Sequence, residues 1–448
     1  MMGLTKFDAS LLADNILKFT SFLTVGDPPK YWYYDKKNHV WVNDGKLFLL
    51  AKFKKEFPDG TSTNFNETLF EVQAKTLTRD IAFITNPLMI QCGNSEEKEL
   101  ESNTELQYST LDLEELKPVY PDEKNHLTKK LEVVLDMKSG PPYIFLSALK
   151  KTLPDSTQMY LMLQAFASLL LVRTIDIDKI FLLVGSGQNG KSTILHVINR
   201  LFEPYVAAVS MHDLINNRFA LAQLDDKLAN IYADISGLKI RDANILKLLT
   251  SGDLINIDQK YEKMKQSRIN LVQFYSANKL PEIEDKTLGI ARRMVIIEFN
   301  EKIKITDHQI KKKLTNPDEL KKILAMLVRI ARNIKNIGFV GLPTPDEVLA
   351  ILEEKGNNVV QFLTNSGLVK EDSKKKAQKD LVYSAYSKYC NDRNYIPKTK
   401  TSFTQILNKK GFVEERSGNT KFWAGLELNE PYLKLKEKNK QKGLMDDD

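Results

Sequence analysis

The chain has 448 residues, which at roughly 150 residues per domain predicts about three structural units. Its 65 Lys and Arg residues against 58 Asp and Glu residues give a formal net charge of +7, an excess too mild to indicate a nucleic-acid partner by itself. Two distant cysteines, Cys92 and Cys390, exclude a disulfide framework and show no zinc-ligand spacing.

The N-terminal sequence and the longest apolar stretch both indicate a cytoplasmic protein. Residues 1–23 lack the ordered charged, apolar and small-residue regions of a signal peptide. The longest apolar stretch, at 159–172, is shorter than a membrane span and contains Gln164 and Ser168, so it fits a buried helix. We therefore expect neither secretion nor a membrane partner.

Residues 1–140 show no catalytic cluster. They begin with a helical pattern, and at 31–42 two apolar runs flank an Asp-Lys-Lys-Asn turn, which predicts a hairpin. Residues 66–82 are helix-like, and the polar, acidic stretch at 94–105 predicts an exposed loop. Residues 141–177 then read as helical packing elements.

A glycine-rich turn follows an apolar strand at 180–184. The turn is Gly185-Ser-Gly-Gln-Asn-Gly190-Lys191-Ser192, and apolar residues at helical spacing continue from residue 194. A chance glycine turn is the alternative, but this strand and helix are the context that a phosphate-binding loop requires. The pattern predicts ATP binding, with Lys191 at the outer phosphates and the Ser192 hydroxyl on Mg²⁺. The predicted nucleotide-binding residues are Gly185, Ser186, Gly187, Gln188, Asn189, Gly190, Lys191, Ser192 and Thr193.

Polar residues end two later apolar strands. Asp234 follows the strand at 228–233 and is the candidate Mg²⁺ ligand, unless it only forms a turn or caps a helix. Asn278 follows the strand at 269–277 and can bond the γ-phosphate or the attacking water, unless it only starts the turn before Pro281. Both residues are predicted to be catalytic together with Lys191.

An arginine pair, Arg292-Arg293, precedes a further apolar strand at 294–299. One of the two can stabilise transition-state charge at a neighbouring subunit's γ-phosphate, as an arginine finger in trans. The alternative is an ordinary surface pair. The region 177–299 as a whole alternates strands with helical patterns, which predicts a parallel sheet covered by helices.

The C-terminal part contains helix-like segments at 318–337 and 345–364 and a charged stretch at 370–379 that marks a boundary. Helices at 380–393 and 402–410 and a hairpin at 412–426 then predict a winged-helix module. The charged tail is expected to be mobile.

The glycine-rich turn at 185–192, Asp234, Asn278 and the arginine pair follow one another in the order, and over the short span, that resembles the motifs of ring-forming superfamily 3 helicases. The chain is most similar to the helicase part of phage, plasmid and poxvirus primase-helicases. The most specific piece is Lys247-Leu-Leu-Thr-Ser-Gly-Asp-Leu-Ile-Asn-Ile-Asp-Gln-Lys260-Tyr261, followed by Ser-Ala-Asn278-Lys-Leu-Pro281 and the arginine pair.

The resemblance implies an α/β architecture with a P-loop NTPase, AAA+-like, parallel-sheet core. The implied units are a mostly helical collar and oligomerisation domain at 1–140, the ATPase core at 141–340, a helical linker at 341–375, a winged-helix-like domain at 376–430 and the tail at 431–448. It also implies a homo-oligomer, a hexameric ring, in which each nucleotide lies between two subunits.

The basic stretch at 260–268 lies between two extended segments and can form a hairpin in the pore of such a ring. Single-stranded DNA is gripped through its phosphates by cations and through its bases by aromatic faces. The candidate DNA contacts are Lys260, Tyr261, Lys263 and Lys265, and the alternative is a charged surface loop.

Two departures from the family pattern bear on function. Relatives often carry a Glu or paired carboxylates on the acidic strand, whereas Asp234 stands alone here, so the catalytic base is open; Asp225 and Asp226 precede that strand and should lie at its other end. Relatives often begin with a primase domain, and this chain is expected to be a helicase without priming, working with forked duplex DNA and a separate primase.

The sequence therefore predicts an ATP-dependent replicative DNA helicase of a viral, phage or plasmid system. The alternative is a DNA-binding replication initiator or loader whose ATPase only switches assembly. A small-molecule kinase on the same loop would need neither the trans arginine nor the hairpin, so it fits the segments after residue 244 poorly.

Overall fold

The computed structural model describes residues 7–26, 28–78, 89–93, 110–233, 235, 239–240, 244–258, 264–283, 287–303, 307–393 and 395–429. Four sequence predictions fall outside these residues: the loop at 94–105, the position of Asp234, the hairpin tip with Lys260, Tyr261 and Lys263, and the tail at 431–448. In the described part of the chain, no helix is long and apolar enough to cross a membrane.

The first unit is a mixture of helices and short strands. Its elements are α1 (Ala9–Phe19), β1 (Phe22–Val25), β2 (Lys30–Asp35), β3 (Val40–Val42), α2 (Gly45–Glu56), α3 (Ser62–Thr76), β4 (Leu77–Thr78), β5 (Met89–Gly93), β6 (Thr110–Asp112), β7 (Lys117–Val119) and β8 (Lys130–Val134). The strands form two four-stranded sheets, ordered β3-β2-β1-β4 and β7-β6-β5-β8.

The predicted hairpin at 31–42 is confirmed, because β2 pairs with β3 and Tyr33 lies opposite Val42. The mostly helical character expected for residues 1–140 is corrected: three helices share the described part of this unit with eight strands. Strands of two to six residues contain too few alternations of apolar and polar residues to be recognised by periodicity.

The central unit is built on a parallel sheet, as predicted. Its elements are α4 (Tyr143–Thr152), α5 (Ser156–Ala167), β9 (Ile180–Val184), α6 (Lys191–Leu201), β10 (Val206–Ala207), α7 (Met211–Asn216), β11 (Ala229–Tyr232), β12 (Lys239–Ile240), α8 (Asn244–Ser251), β13 (Leu254–Ile257), β14 (Lys265–Arg268), β15 (Val272–Ala277), β16 (Glu282–Ile283), α9 (Leu288–Ala291), β17 (Met294–Glu298), α10 (Ile310–Leu314) and α11 (Pro317–Ile337).

Five of the described strands form the parallel sheet, in the order β10-β11-β15-β9-β17. Strand β9 is a continuous apolar run, and β17 is apolar up to its last residue, because both faces of the sheet are covered. Phe181 and Leu183 face a core shared with α5, α6 and α11. Ile180 and Leu182 face a second core shared with α8, α9 and a later helix at 345–356. Two ribbons flank the sheet: β12 pairs with β16 in parallel, and β13 pairs with β14 antiparallel.

A buried polar network joins β11, β15 and the segment after β10. The Asn230 side chain accepts from Val209 N (2.8 Å) and donates to Val209 O (2.9 Å) and to the Tyr275 hydroxyl (3.3 Å). That hydroxyl donates to the Gln273 side-chain oxygen at 2.8 Å. Asn230, Gln273 and Tyr275 are fully buried, and burial raises the pKa of Tyr275 above its ordinary value.

The terminal unit comprises α12 (Pro345–Gly356), α13 (Asn358–Asn365), β18 (Val369–Gln378), α14 (Lys379–Asp392), α15 (Lys400–Lys409), β19 (Val413–Ser417) and β20 (Thr420–Leu428). Helix α12 begins with a capping box, in which Thr344 and Glu347 bond each other's backbone N–H groups. The predicted helices and the hairpin are confirmed, since β19 pairs antiparallel with β20.

The charged stretch at 370–379 forms a strand rather than a linker. It is β18, which pairs with β20 and is bulged between Glu371 and Lys376. The boundary expected between residues 375 and 376 thus falls inside a strand. Helix α13 also packs into the terminal core through Val359 and Phe362. A run of lysines does not reveal such a strand, because the long lysine side chains lie on its exposed face.

Candidate active site

Residues 185–192, which we call the glycine loop, join the carboxyl end of β9 to the amino end of α6. Gly185 and Gly190 leave no room for a side chain, and Gly187 has a φ of +92°. A Cβ atom at Gly185 would lie 2.0 Å from the Asn189 side-chain nitrogen and 2.3 Å from the Phe299 carbonyl oxygen. At Gly190, φ is +83° and a Cβ atom would lie 2.5 Å from a methyl carbon of Thr152. The loop is therefore packed too closely for side chains at its two ends.

Lys191 is held inside this loop and is only 5% exposed. Its ammonium donates to the Gly185 carbonyl at 2.5 Å and to the Asn189 side-chain oxygen at 3.0 Å. Asn189 in turn donates from its side-chain nitrogen to Phe299 O at 2.9 Å. A cation held in a glycine-rich turn at the amino end of a helix suits an anionic ligand.

A cavity of about 370 Å³ opens beside the loop, lined by residues 187–193, Ala233, Ser276, Ala277 and Asn278. The carboxyl ends of β9, β11 and β15 meet here, which is where ligands bind in open parallel sheets. The amino end of α6, an 11-residue helix, adds its positive dipole end. Of the predicted nucleotide-binding residues, 187–193 line this cavity together with Asn278, whereas Gly185 and Ser186 do not.

This cavity suits a polyphosphate with a bound metal ion. Ser192 is exposed in the first turn of α6, where its hydroxyl can serve as one Mg²⁺ ligand. Asp234 lies outside the described residues, but its neighbours reach the same edge of the sheet. Ala233 lines the cavity, and Ile235 N donates to Ser276 O at 3.0 Å.

A second, more apolar cavity of about 890 Å³ adjoins the first and was not predicted from the sequence. Both cavities share Gln188, Gly190 and Thr193. Its walls include Tyr143 of α4 and Ile303. No sequence signal marks it, because its lining comes from segments about 150 residues apart along the chain and from the back of the glycine loop.

The two arginines before β17 occupy different environments. Arg293 is 8% exposed; its Nε donates to the Thr250 hydroxyl at 2.9 Å and its Nη1 to Gly289 O at 2.6 Å. Burial, together with the adjacent Arg292, lowers the pKa of Arg293 below its ordinary value. Arg292 is exposed. Both lie at the amino end of the five-residue β17, about 16 Å along the strand from the cavity edge.

The stem of the predicted basic hairpin is confirmed by the pairing of β13 with β14, in which Ile257 lies opposite Lys265. Lys265 is bonded to the Asp225 carboxylate, which also accepts from the Ser267 hydroxyl at 3.1 Å. Lys265 thus lies in the stem and is paired. Lys260, Tyr261 and Lys263 fall between the two strands in the sequence and lie outside the described residues.

Asp225 and Asp226 precede β11, at the end predicted for them. Asp226 is in the left-handed region with φ of 56° and is bonded to Lys129 and, at 2.7 Å, to Arg173. Both carboxylates are therefore paired with residues outside the cavity.

Two family matches cover separate parts of the chain. Residues 183–293 match the family described as "Family of unknown function (DUF5906)", and residues 354–442 match the family described as "Poxvirus D5 protein-like". The second agrees with the sequence resemblance to poxvirus-type proteins. The first runs from β9 to the arginine pair, and the second covers most of the terminal unit.

No curated protein matches the chain. Among solved structures, the A form apo structure of the NrS-1 C terminal region is 14% identical, with a TM-score of 0.43, and the alignment covers 94% of this chain and 100% of that chain. A second apo structure of the same region is 13% identical, with a TM-score of 0.44 and the same coverage.

Proposed function

We propose that this chain is an ATP-dependent replicative DNA helicase that works as a ring and translocates on single-stranded DNA. The observation that carries the proposal is the division of the candidate residues between two edges of one sheet. Lys191 and Asn278 meet in a cavity at the carboxyl edge, while Arg292 is exposed at the amino edge. A residue at the far edge serves a nucleotide only across a subunit boundary.

Within one subunit, the glycine loop and the amino end of α6 bind the phosphates of ATP. Lys191 neutralises charge at the outer phosphates, and Asn278 orients the attacking water or the γ-phosphate. Ser192 and Asp234 would hold Mg²⁺, which would supply Lewis-acid charge to the bound phosphates. The adjoining apolar cavity accommodates the nucleoside, because it shares the back of the glycine loop.

Across the subunit boundary, Arg292 supplies positive charge to the neighbour's transition state. Arg293 holds the backbone next to Arg292 in place through its bonds to Thr250 and Gly289. Head-to-tail contacts of this kind close into a ring, which we propose to be hexameric. The tip of the β13–β14 hairpin then reaches single-stranded DNA with Lys260, Tyr261 and Lys263.

The match of residues 354–442 to the poxvirus D5 protein-like family supports a role in DNA replication. The terminal helices and hairpin support a winged-helix module that binds the duplex arm of a fork. A separate primase remains a proposed partner.

The decisive experiment mixes two inactive variants. Lys191→Ala removes the phosphate-binding cation and Arg292→Ala removes the charge offered to the neighbour, so each homo-oligomer should fail to hydrolyse ATP. In a random 1:1 mixture, about one quarter of the subunit boundaries combine an intact Lys191 with an intact Arg292. ATPase activity should therefore return to about a quarter of the wild-type level, and no recovery would contradict the shared site.

Strand displacement on forked DNA separates the helicase from the replication initiator or loader. The wild type should unwind the fork with ATP, and Lys191→Ala should not. DNA-stimulated ATP hydrolysis without unwinding would favour the initiator.

A further inference from the structure

The loop between α14 and α15, described at residues 393 and 395–399, contacts the segment that follows Asn278. Lys279 donates from its ammonium to Arg393 O at 2.6 Å and lies 3.7 Å from the centre of the Tyr395 ring. Burial and the nearby Arg393 lower the pKa of Lys279 below its ordinary value. Lys398, whose side chain is 12% exposed, forms an ion pair with Glu282 at 2.5 Å.

The contacted segment, residues 278–283, is short and well anchored. Glu282 lies four residues after Asn278. Leu280, between the two, and Ile283, next to Glu282, are buried. Glu282 also belongs to β16, which pairs with β12. Since β12 follows the strand that leads to Asp234, this ribbon ties together the segments after both predicted catalytic residues.

The loop is equally well anchored on the terminal side. Tyr395 donates from its backbone N to Cys390 O at 2.8 Å and from its hydroxyl to the Gln361 side chain at 2.6 Å. The backbone N of Lys398 donates to the Tyr386 hydroxyl at 2.9 Å. These bonds fix the loop to α13 and α14, so it moves with the terminal unit.

We propose that the terminal unit positions Asn278, with Lys279 and Lys398 as the positioning residues. This inference rests on the proposed ATPase. When the terminal unit shifts, the contacts of Lys279 and Lys398 move residues 278–283. This movement changes the position of the Asn278 amide in the cavity. Coupling between two sites is reciprocal, so a nucleotide that contacts Asn278 also changes the free energy with which the terminal unit packs against residues 278–283.

The test measures ATP hydrolysis by Glu282→Ala, Lys398→Ala and the double variant. Each single variant should lower kcat about tenfold with little change in KM, and the double variant should be no worse than either, as expected for one coupled contact. The charge swap Glu282→Lys with Lys398→Glu should restore most of kcat. Lys410→Ala is the control, because Lys410 pairs with Glu353 of α12 at 3.2 Å inside the terminal unit rather than with residues 278–283, and it should keep wild-type kcat.

Tyr395→Ala provides a second route if a charge variant folds poorly, and it should lower kcat by a similar factor. If the wild type hydrolyses ATP and these variants match Lys410→Ala, the coupling is refuted while the ATPase stands. A loss of kcat that follows thermal stability and is not rescued by the charge swap also refutes it. A wild type that hydrolyses no nucleoside triphosphate refutes both proposals.

Discussion

Replacing the two adjacent arginines one at a time should separate stability from catalysis. Arg293→Ala removes two hydrogen bonds from a buried guanidinium, to Thr250 and to Gly289 O. Hydrogen bonds to charged groups contribute about 1.5 to 3 kcal/mol each. The Thr250 hydroxyl keeps its own bond to Leu246 O at 3.0 Å, so the loss should stay near the lower end of the sum.

We expect Arg293→Ala to lower the free energy of unfolding by about 3 kcal/mol, which for a unit of this size lowers Tm by about 6 to 12 °C. Arg292→Ala removes an exposed side chain, so its effect should stay within about 0.5 kcal/mol. Its effect on catalysis should be large, because an arginine finger contributes about 10³- to 10⁵-fold to kcat.

Thermal melts and steady-state ATPase assays on both variants give the answer, with nucleotide affinity as a third measurement. Arg292→Ala should melt and bind nucleotide like the wild type while losing hydrolysis. If it retains wild-type kcat, Arg292 is not the finger. If Arg293→Ala is as stable as the wild type, the two bonds do not hold α8 and α9 against β17.

Four further outcomes follow from the geometry. Gly185→Ala should abolish nucleotide binding in a fluorescence titration, because its Cβ would displace Asn189 and Phe299 O; wild-type affinity would contradict the close packing of the loop. Tyr143→Ala should raise KM for ATP several-fold without lowering kcat, by removing one wall of the apolar cavity; an unchanged KM would place the nucleoside elsewhere. Lys263→Ala should make the affinity for single-stranded DNA less dependent on salt, by an amount that corresponds to about one phosphate contact. Lys265→Ala should have a smaller effect, because Lys265 is already paired with Asp225; equal effects would contradict this distinction. Burial raises the pKa of the Cys92 thiol to about 12, so the thiolate is scarce below that pH and Cys92 should resist thiol reagents at pH 8 until the protein unfolds.

The parts of the fold that the sequence predicted are those with strong local signals. The apolar runs of β9, β15 and β17 and the long periodic pattern of α11 each identify one element without reference to the rest of the chain. The glycine loop was also predictable, because its flanking strand and helix are contiguous with it. The pairing of β13 with β14 follows from two extended segments close together in sequence.

The remaining features depend on long-range packing. Nothing in the sequence indicates that β15 lies between β9 and β11, although that order is what brings Asn278 to the glycine loop. The buried guanidinium of Arg293 is bonded to Thr250, more than 40 residues earlier, so no local pattern distinguishes it from the exposed Arg292. The contact of Lys398 with Glu282 spans 116 residues, beyond the reach of any local pattern.

The buried network around Asn230 has a consequence for folding. Parallel β11 and β15 consist largely of apolar residues, and apolar residues alone would tolerate several alignments. Any alignment other than Asn230 opposite Gln273 would break the bond from the Asn230 side chain to the Tyr275 hydroxyl, which is the bond of this network that joins β11 to β15, at a cost of about 0.5 to 1.5 kcal/mol. This polar contact therefore favours one alignment over its apolar alternatives, and that alignment sets the ends of the two strands level with each other.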